Sequence, residues 1–238
     1  MFKDIFKNII YNVINTNSLK KYNYKNISYI NKSNFFSSLC KKYNSDKCTD
    51  DTGTIDKINR AAHTYGTVYY GLFNHCRNDF KLVLEVGIGS TNKDIPCNMT
   101  PNGSPGASLR VWKEFFPNAQ IFGCDIDQDI LFSEDRIKTF YADQLNCETI
   151  KEMWNDIHKT DFDLILDDGL HSYEANYNFF IHSYGRLKSG GVYIIEDVGN
   201  SYLKKLKSSL KDYNCEIVKL KSKFHKHLDN NLIIVRKD

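Results

Sequence analysis

The sequence predicts an α/β domain: a doubly wound, mostly parallel sheet of seven strands, closed by a C-terminal antiparallel hairpin and preceded by an N-terminal helical extension. Three observations predict it. From residue 80 onward, short apolar runs alternate with helical stretches, the pattern of a parallel sheet covered on both faces. The first five runs each stop at Gly, Asp or Glu, and ligands in such sheets bind at the carboxyl ends of the strands. The last two runs, 216–220 and 231–235, lie too close together for a helical crossover and should pair antiparallel.

Residues 81–86 form the first strand, ended by Gly87-Ile88-Gly89 and followed by a long Asn-, Pro-, Gly- and Thr-rich loop over 90–105. Residues 107–116 read as a helix stopped by Pro117. The next strands are 120–124, 137–141, 162–166 and 192–195, and the helices between and after them are 147–158, 173–187 and 201–213. Ser189-Gly190-Gly191 reads as a helix stop.

Residues 1–79 have a different character and form a separate lid or oligomerisation extension in front of the domain at 80–238. Phe2, Ile5, Phe6, Ile9, Ile10 and Val13 fall at helical spacing. With its lysines this face suits a membrane surface, but packing on the main domain or on a second copy of the chain is the plainer reading. Residues 15–33 read as a polar loop, 34–43 as a short helix and 44–53 as a run of turn formers. Residues 55–74 read as a helix carrying Tyr65, Tyr69, Leu72 and Phe73 on related faces.

Composition excludes several classes. The 238 residues carry 32 Lys and Arg against 29 Asp and Glu, a net charge of +3, far from the basic excess of a dedicated nucleic-acid binder. No apolar run reaches the roughly 20 residues of a membrane span. Charges interrupt the first ten residues, unlike the core of a signal peptide. Seven cysteines without a CxxC pair point to reduced thiols in a cytoplasm.

The chemistry collects at the strand ends. Glu85-Val86-Gly87-Ile88-Gly89 closes the first strand, Asp125 the second and Asp143 the third. Glycines at such a turn let the backbone approach a ligand closely, and Asp125 stands about where a ribose-binding carboxylate belongs. One group further along, Asp167-Asp168-Gly169-Leu170-His171 ends the fourth strand and Glu196-Asp197 the fifth. Neighbouring strands are about 4.8 Å apart, so these acids share one space and repel one another unless a cation compensates. Oxygen ligands favour Mg²⁺, and Mn²⁺ is the alternative that oxygen ligands alone do not exclude. Asp168, Glu196 and Asp197 are the expected ligands. Asp167 rivals Asp168 and otherwise falls to the cofactor side. A metal-free alternative puts one acid on the cofactor and the others in solvent. His171 stands beside the metal, where it can take a proton from a hydroxyl.

This arrangement resembles the class I S-adenosylmethionine (SAM) dependent methyltransferases, with their Rossmann-like sheet, over residues 80–238. The resemblance implies that Glu85, Gly87 and Gly89 lie near the amino-acid part of SAM. It also implies that Asp125 holds the ribose and that Asp143 faces the adenine with Gln144 beside it. The third glycine of the usual motif is absent. The stretch from Gly106 to Asp127 instead resembles the metal-dependent sugar O-methyltransferases of macrolide biosynthesis and the cephalosporin-hydroxylase-like methyltransferases. His63-Thr64-Tyr65 followed by Tyr69 resembles a segment of the same group, which makes Tyr65 and Ser108 neighbours of SAM. Packing of Tyr65 and Tyr69 on the sheet, and a helix-start role for Ser108, are the structural alternatives. The resemblance supports the same three metal ligands and His171 as general base.

The expected reaction is SN2 transfer of a methyl group to a hydroxyl of a small-molecule sugar acceptor: an activated sugar, a polysaccharide residue or a glycosylated metabolite. Lys204, Lys205 and Lys207 would attract a phosphorylated acceptor or simply form a solvated helix face. The rivals are an NAD-dependent oxidoreductase on the same kind of sheet, a metal-independent small-molecule methyltransferase, and a non-catalytic module with a SAM-like pocket.

Overall fold

The computed structural model describes residues 33–48, 63–99, 101, 103–221 and 229–238, together with the backbone of short strands at 27–28, 54–55 and 60–61. The expected N-terminal amphipathic helix, including Phe2, Ile5, Phe6, Ile9, Ile10 and Val13, lies outside the described residues, as do most of the expected loop 15–33 and part of the turn run 44–53.

The strands, in chain order, are β1 Ile27–Ser28, β2 Thr54–Ile55, β3 Arg60–Ala61, β4 Leu82–Val86, β5 Gln120–Asp125, β6 Ser133–Glu134, β7 Ile137–Tyr141, β8 Phe162–Asp167, β9 Leu187–Ile195, β10 Asn214–Lys221 and β11 Asn231–Arg236. The helices are α1 Phe35–Tyr43, α2 Gly66–Phe73, α3 Ala107–Phe115, α4 Cys147–Ile157, α5 Tyr173–Ser183 and α6 Leu203–Ser209. Nine strands form the main sheet in the order β1-β10-β11-β9-β8-β4-β5-β7-β6. The seven expected strands are its body, and the two-residue β1 and β6 extend its edges. β5, β4, β8 and β9 run parallel, β10 and β11 form the antiparallel hairpin, and β11 pairs antiparallel with β9. The chain leaves β4 toward β5 and β7, then returns to the other side of β4 with β8. That reversal opens a crevice at the carboxyl ends of β4 and β8.

Side chains alternate between two cores. Val83, Ile121, Leu164, Leu166, Ile194 and Ile234 face one side, where Phe36, Tyr69, Trp112 and Phe115 of α1, α2 and α3 cover them. Leu84, Phe122, Ile165, Tyr193, Ile195 and Ile233 face the other, under Trp154, Phe179, Phe180 and Leu206 of α4, α5 and α6. This is the period of two that a strand imposes. It explains the continuous apolar runs, because a strand buried on both faces has no polar side. The helices α1 and α2 therefore pack in the same core as the sheet.

Three expected elements differ from those observed. The helix expected over 55–74 begins at Gly66; Ile55 belongs instead to the small β2–β3 hairpin. The backbone N–H groups of His63 and Tyr65 donate to the carbonyls of Asp46 and Lys47, at 2.8 and 3.1 Å. Cys48 and Thr64 form an antiparallel bridge, so the donors a longer helix would use are committed to the turn after α1. The helix expected to reach residue 187 ends at Ser183, followed by a single 3₁₀ turn to Arg186. Ser189-Gly190-Gly191 does not stop it but lies within β9, where Phe162 faces Leu187 and Leu164 faces Val192. Those extra residues bulge out of the ladder, and Gly190 accommodates them with φ +75 while its N–H donates to the Lys237 carbonyl at 2.8 Å. The last helix spans only 203–209 of the expected 201–213. Among the described residues, no helix is long and apolar enough to cross a membrane.

The crevice depends on a backbone contact. Gly87 has φ +84, and a Cβ there would fall 2.0 Å from the carbonyl oxygen of Asp168. Gly87→Ala should therefore lower the unfolding free energy by about 2–4 kcal/mol, from left-handed strain plus the clash. Gly185→Ala, where a Cβ would meet nothing within 4 Å, should change it by less than about 0.5 kcal/mol. Urea unfolding of the two variants against the native chain measures both.

Candidate active site

The ladder continues past the strand ends. The N–H of Asp168 donates to the Val86 carbonyl and that of Glu196 to the Asp167 carbonyl, at 2.9 and 2.8 Å. This fixes the terminal residues in register, and parity then sorts the acids. Glu85 follows Val83, and Glu196 follows Ile194, toward the face covered by α1–α3. Asp167 follows Ile165 toward the opposite face, where Gln144 Nε2 donates to its Oδ1 at 2.7 Å. Asp168, one residue on, joins the first group.

That group has a cation at its centre. Lys47, from the turn after α1, is 2% exposed, and its Nζ lies 2.8 Å from Glu85 Oε1, 2.7 Å from Asp168 Oδ2 and 2.7 Å from Glu196 Oε2. Tyr69 donates its hydroxyl to Glu196 Oε1, and Tyr65 donates to Asp197 Oδ1. His63 Nδ1 stands 3.2 Å from the same Asp197 oxygen, its ring stacked on Tyr65. Glu85 also accepts from Ser108 Oγ at 2.7 Å and Trp112 Nε1 at 3.2 Å.

Two cavities open from this region. The smaller, about 60 Å³, is lined by Lys47, His63, Gly87, Gly89, Ser108, Asp168, His171, Glu196 and Asp197. The larger, about 190 Å³, is lined by Gly87, Gly89, Asp125, Ile126, Asp143, Gln144, Leu145, Asp168 and Gly169. They share Gly87, Gly89, Cys97 and Asp168. Glu85, Asp167 and Tyr65 line neither; all three are fully buried behind the walls.

The larger cavity has a polar side and an apolar side. Asp125 is oriented by two backbone donors, Ile88 N–H to Oδ2 at 2.8 Å and Asp127 N–H to Oδ1 at 3.0 Å. Asp143 Oδ1 accepts from Leu145 N–H at 2.8 Å. Gln144 is a clamp, accepting from Leu170 N–H at 2.7 Å while holding Asp167. Ile126 and Leu145 are 44% and 56% exposed, and an apolar ligand face would cover them.

Around the smaller cavity, His171 Nε2 lies 3.9 Å from Asp168 Oδ1 and 3.7 Å from Asp197 Oδ2. Among the described residues, Asp168, His171 and Asp197 form a group whose ligand atoms all lie within 4.8 Å of one another. Both His171 and Asp197 adopt left-handed backbone, at φ 52 and 51, which aims their side chains into the cavity at some conformational cost. Glu196 belongs to the same cluster, but its two oxygens are engaged by Tyr69 and Lys47. Three carboxylates surround the one lysine and Asp197 stands beside them, and the open oxygens of Asp168 and Asp197 suit a hard divalent ion.

Burial and the neighbouring Asp168 push the Glu196 carboxyl well above its ordinary range, and burial likewise raises Glu85, Asp125 and Asp167. Burial alone would push Lys47 down, but Asp168, Glu196 and Glu85 outweigh it and hold the ammonium well above the usual lysine range. The same balance raises His63, where burial is outweighed by Asp197, Asp46 and Asp168 together with the hydrogen bond to Asn230. It lowers Asp168, where Lys47 and His171 outweigh burial.

Lys47 has no signal in the sequence. It lies among turn formers, and its partners are 38 to 149 positions away. Only the count of acids at the strand ends shows that some cation is required.

No protein-family profile matches the chain. Over 140 residues it is 31% identical to the 8-demethyl-8-alpha-L-rhamnosyl tetracenomycin-C 2'-O-methyltransferase of Streptomyces olivaceus, a match covering 59% of this chain and 34% of that protein. It is 33% identical to the mycinamicin VI 2''-O-methyltransferase of Micromonospora griseorubida, over 59% of this chain and 33% of that protein. The chain thus aligns with about a third of the length of the curated relatives it matches. Among solved structures it is similar to the MycE methyltransferase of the mycinamycin biosynthetic pathway in complex with Mg and SAH, with a TM-score of 0.60 and 26% identity, covering 87% of this chain and 55% of that one. The fold is that of the class I SAM-dependent methyltransferases.

The cluster sets a pH dependence. Glu85, Glu196 and His63 hold their protons more tightly folded than unfolded, so the stability each contributes is full below its unfolded pKa and is lost as pH rises through the raised folded value. For the two glutamates the loss begins at the ordinary 4.5, and for His63 at 6.5. Asp168 works in the opposite sense, losing its contribution only as pH falls below 3.8. The metal-free melting temperature should therefore decline as pH is raised from about 5 to 8, and His63→Gln should flatten the part above 6.5. Thermal melts across that range in EDTA give the profile.

Proposed function

We propose that the chain carries the catalytic unit of a SAM-dependent O-methyltransferase that uses a divalent cation, Mg²⁺ or Mn²⁺, to methylate a sugar hydroxyl. The observation that carries this reading is the meeting of the two cavities at Gly87, Gly89 and Asp168. One has the polar and apolar sides that suit an adenosine. The other has the carboxylates and imidazole that suit deprotonation of an alcohol. The sugar acceptor is favoured by the relatives, whose names describe O-methyl transfer to glycosylated metabolites. The sugar of a small glycoside is the first acceptor class, with activated sugars and polysaccharide residues next.

Gly87, Gly89 and Ser108 would border the methionyl part of SAM, Asp125 would accept from the ribose hydroxyls, and Ile126 and Leu145 would flank the adenine beside Asp143. Glu85, Asp167 and Tyr65 would act from behind. Glu85 fixes Ser108 and Lys47, Asp167 fixes Gln144, and Tyr65 orients Asp197. Asp168 and Asp197 would hold the cation, with Glu196 supporting Asp168 through Lys47. When bound, the cation supplies Lewis acidity that lowers the pKa of a coordinated hydroxyl.

His171 is the general base in this reading. Its Nε2 faces the space between Asp168 and Asp197, where the acceptor hydroxyl would lie. In the displacement, the acceptor oxygen forms a bond to the methyl carbon and the C–S bond breaks with its electron pair leaving on sulfur. The hydroxyl proton passes to His171 Nε2. The protein's part is alignment at about 3–3.5 Å before attack and uptake of that proton.

A nicotinamide enzyme is the rival reading, and it leaves the acid and histidine cluster without a role. Titration calorimetry should show S-adenosylhomocysteine binding and no heat with NAD; the reverse pattern would sink the proposal. His171→Ala should lower kcat about 10²–10⁴-fold while leaving Mn²⁺ affinity nearly unchanged. A large loss of Mn²⁺ affinity would make His171 a ligand instead.

A further inference from the structure

Lys47 is a cation already resident in the acid cluster. Its ammonium donates hydrogen bonds to Asp168 Oδ2 and Glu196 Oε2, at 2.7 Å each, and forms an ion pair with Glu85 Oε1 at 2.8 Å. The side chain is anchored from its backbone, since the Lys47 carbonyl accepts from Tyr65 N–H at 3.1 Å. Asp168 is divided between two environments: Oδ2 takes Lys47 on the inner side, and Oδ1 faces His171 Nε2 across the cavity at 3.9 Å. A divalent ion on the outer oxygens would therefore sit within a few ångströms of a fixed positive charge, a strong repulsion even at an effective dielectric of about 20.

We propose that Lys47 is a built-in counter-cation that keeps the carboxylates assembled without a divalent ion, holds the affinity for that ion down, and confines it to the outer oxygens of Asp168 and Asp197. The inference rests on the metal-assisted reading above and goes beyond it. Lys47 acts through Asp168 and Glu196 and is a positioning residue. A weakly held ion on the outer side leaves coordination positions toward the cavity, where two neighbouring hydroxyls of an acceptor would complete them. The fixed ammonium would thus favour joint binding of ion and acceptor over a permanently loaded site.

The test uses the full chain stripped with EDTA, with Mn²⁺ alone as probe, in native, Lys47→Gln and Lys47→Arg forms. Calorimetry reads Mn²⁺ affinity, and thermal melts read stability with and without the ion. Lys47→Gln should bind Mn²⁺ about tenfold tighter or more. It should melt lower than native without the ion and regain most of that loss with it. Lys47→Arg, which keeps the charge, should stay within about threefold of native affinity. Affinity of the Gln variant no higher than native overturns the proposal, as does equal tightening in the Arg variant. A Gln variant that stays unfolded at saturating Mn²⁺ also overturns it, because ion and ammonium would then not substitute for each other. Absence of Mn²⁺ binding in the native chain and both variants removes the metal-assisted reading and this inference with it. Binding that is equal in all three removes the inference alone.

Discussion

Glu85, Asp168 and Glu196 end three adjacent strands, and no arrangement of a parallel sheet keeps those ends apart. Burial of carboxylates at that spacing is costly unless a positive group lies among them. The lysine that meets the need comes from the turn after α1, and two phenols and an imidazole from residues 63–69 complete the set. Charge compensation thus fastens the front of the chain to the sheet alongside the aromatic cluster of Phe36, Tyr69, Trp112 and Phe115. Each of the two needs the other. The aromatics exclude water from around the ions, and the ions fix the register at which the aromatics pack.

The period of two along each strand does the rest of the sorting. It sends Asp167 to the α4–α5 face as a partner of Gln144 and leaves Asp168 facing the smaller cavity. Two neighbouring residues of the same type therefore have different duties, set by one step along the backbone. Gly87 in the β4 turn lets the β8 turn approach to contact distance, and that contact forms the common wall of the two cavities.

Most of the sheet was legible because each strand is a compact apolar run with a polar or glycine terminator. The acids were legible for the same reason, since terminators collect at one edge. What escaped were features written in distant pairings. The bulge at Ser189-Gly190-Gly191 looks like a helix stop until Lys237 is seen to take its hydrogen bonds. The stretch before Gly66 has helical spacing, but the N–H groups of His63 and Tyr65 are claimed by residues 46 and 47. Lys47 is the extreme case: a single residue in a polar turn, given meaning by three partners in three different strands. Glu85 and Tyr65, read as cofactor neighbours, are found behind the cavity walls, because a motif gives proximity along the chain and not depth.

The turn that carries Lys47 has a consequence for how such chains diversify. Exchanging the front segment between related enzymes is an obvious way to change acceptor preference while keeping the cofactor half intact. In this chain the exchange would also remove an ammonium and two hydroxyls from beneath the acid cluster. A recombinant that joined a foreign front at residue 80 would inherit the acids without their counter-charge. Productive crossovers must therefore fall before α1 or bring a matching lysine with them, so the heritable unit of this fold is larger than its sheet.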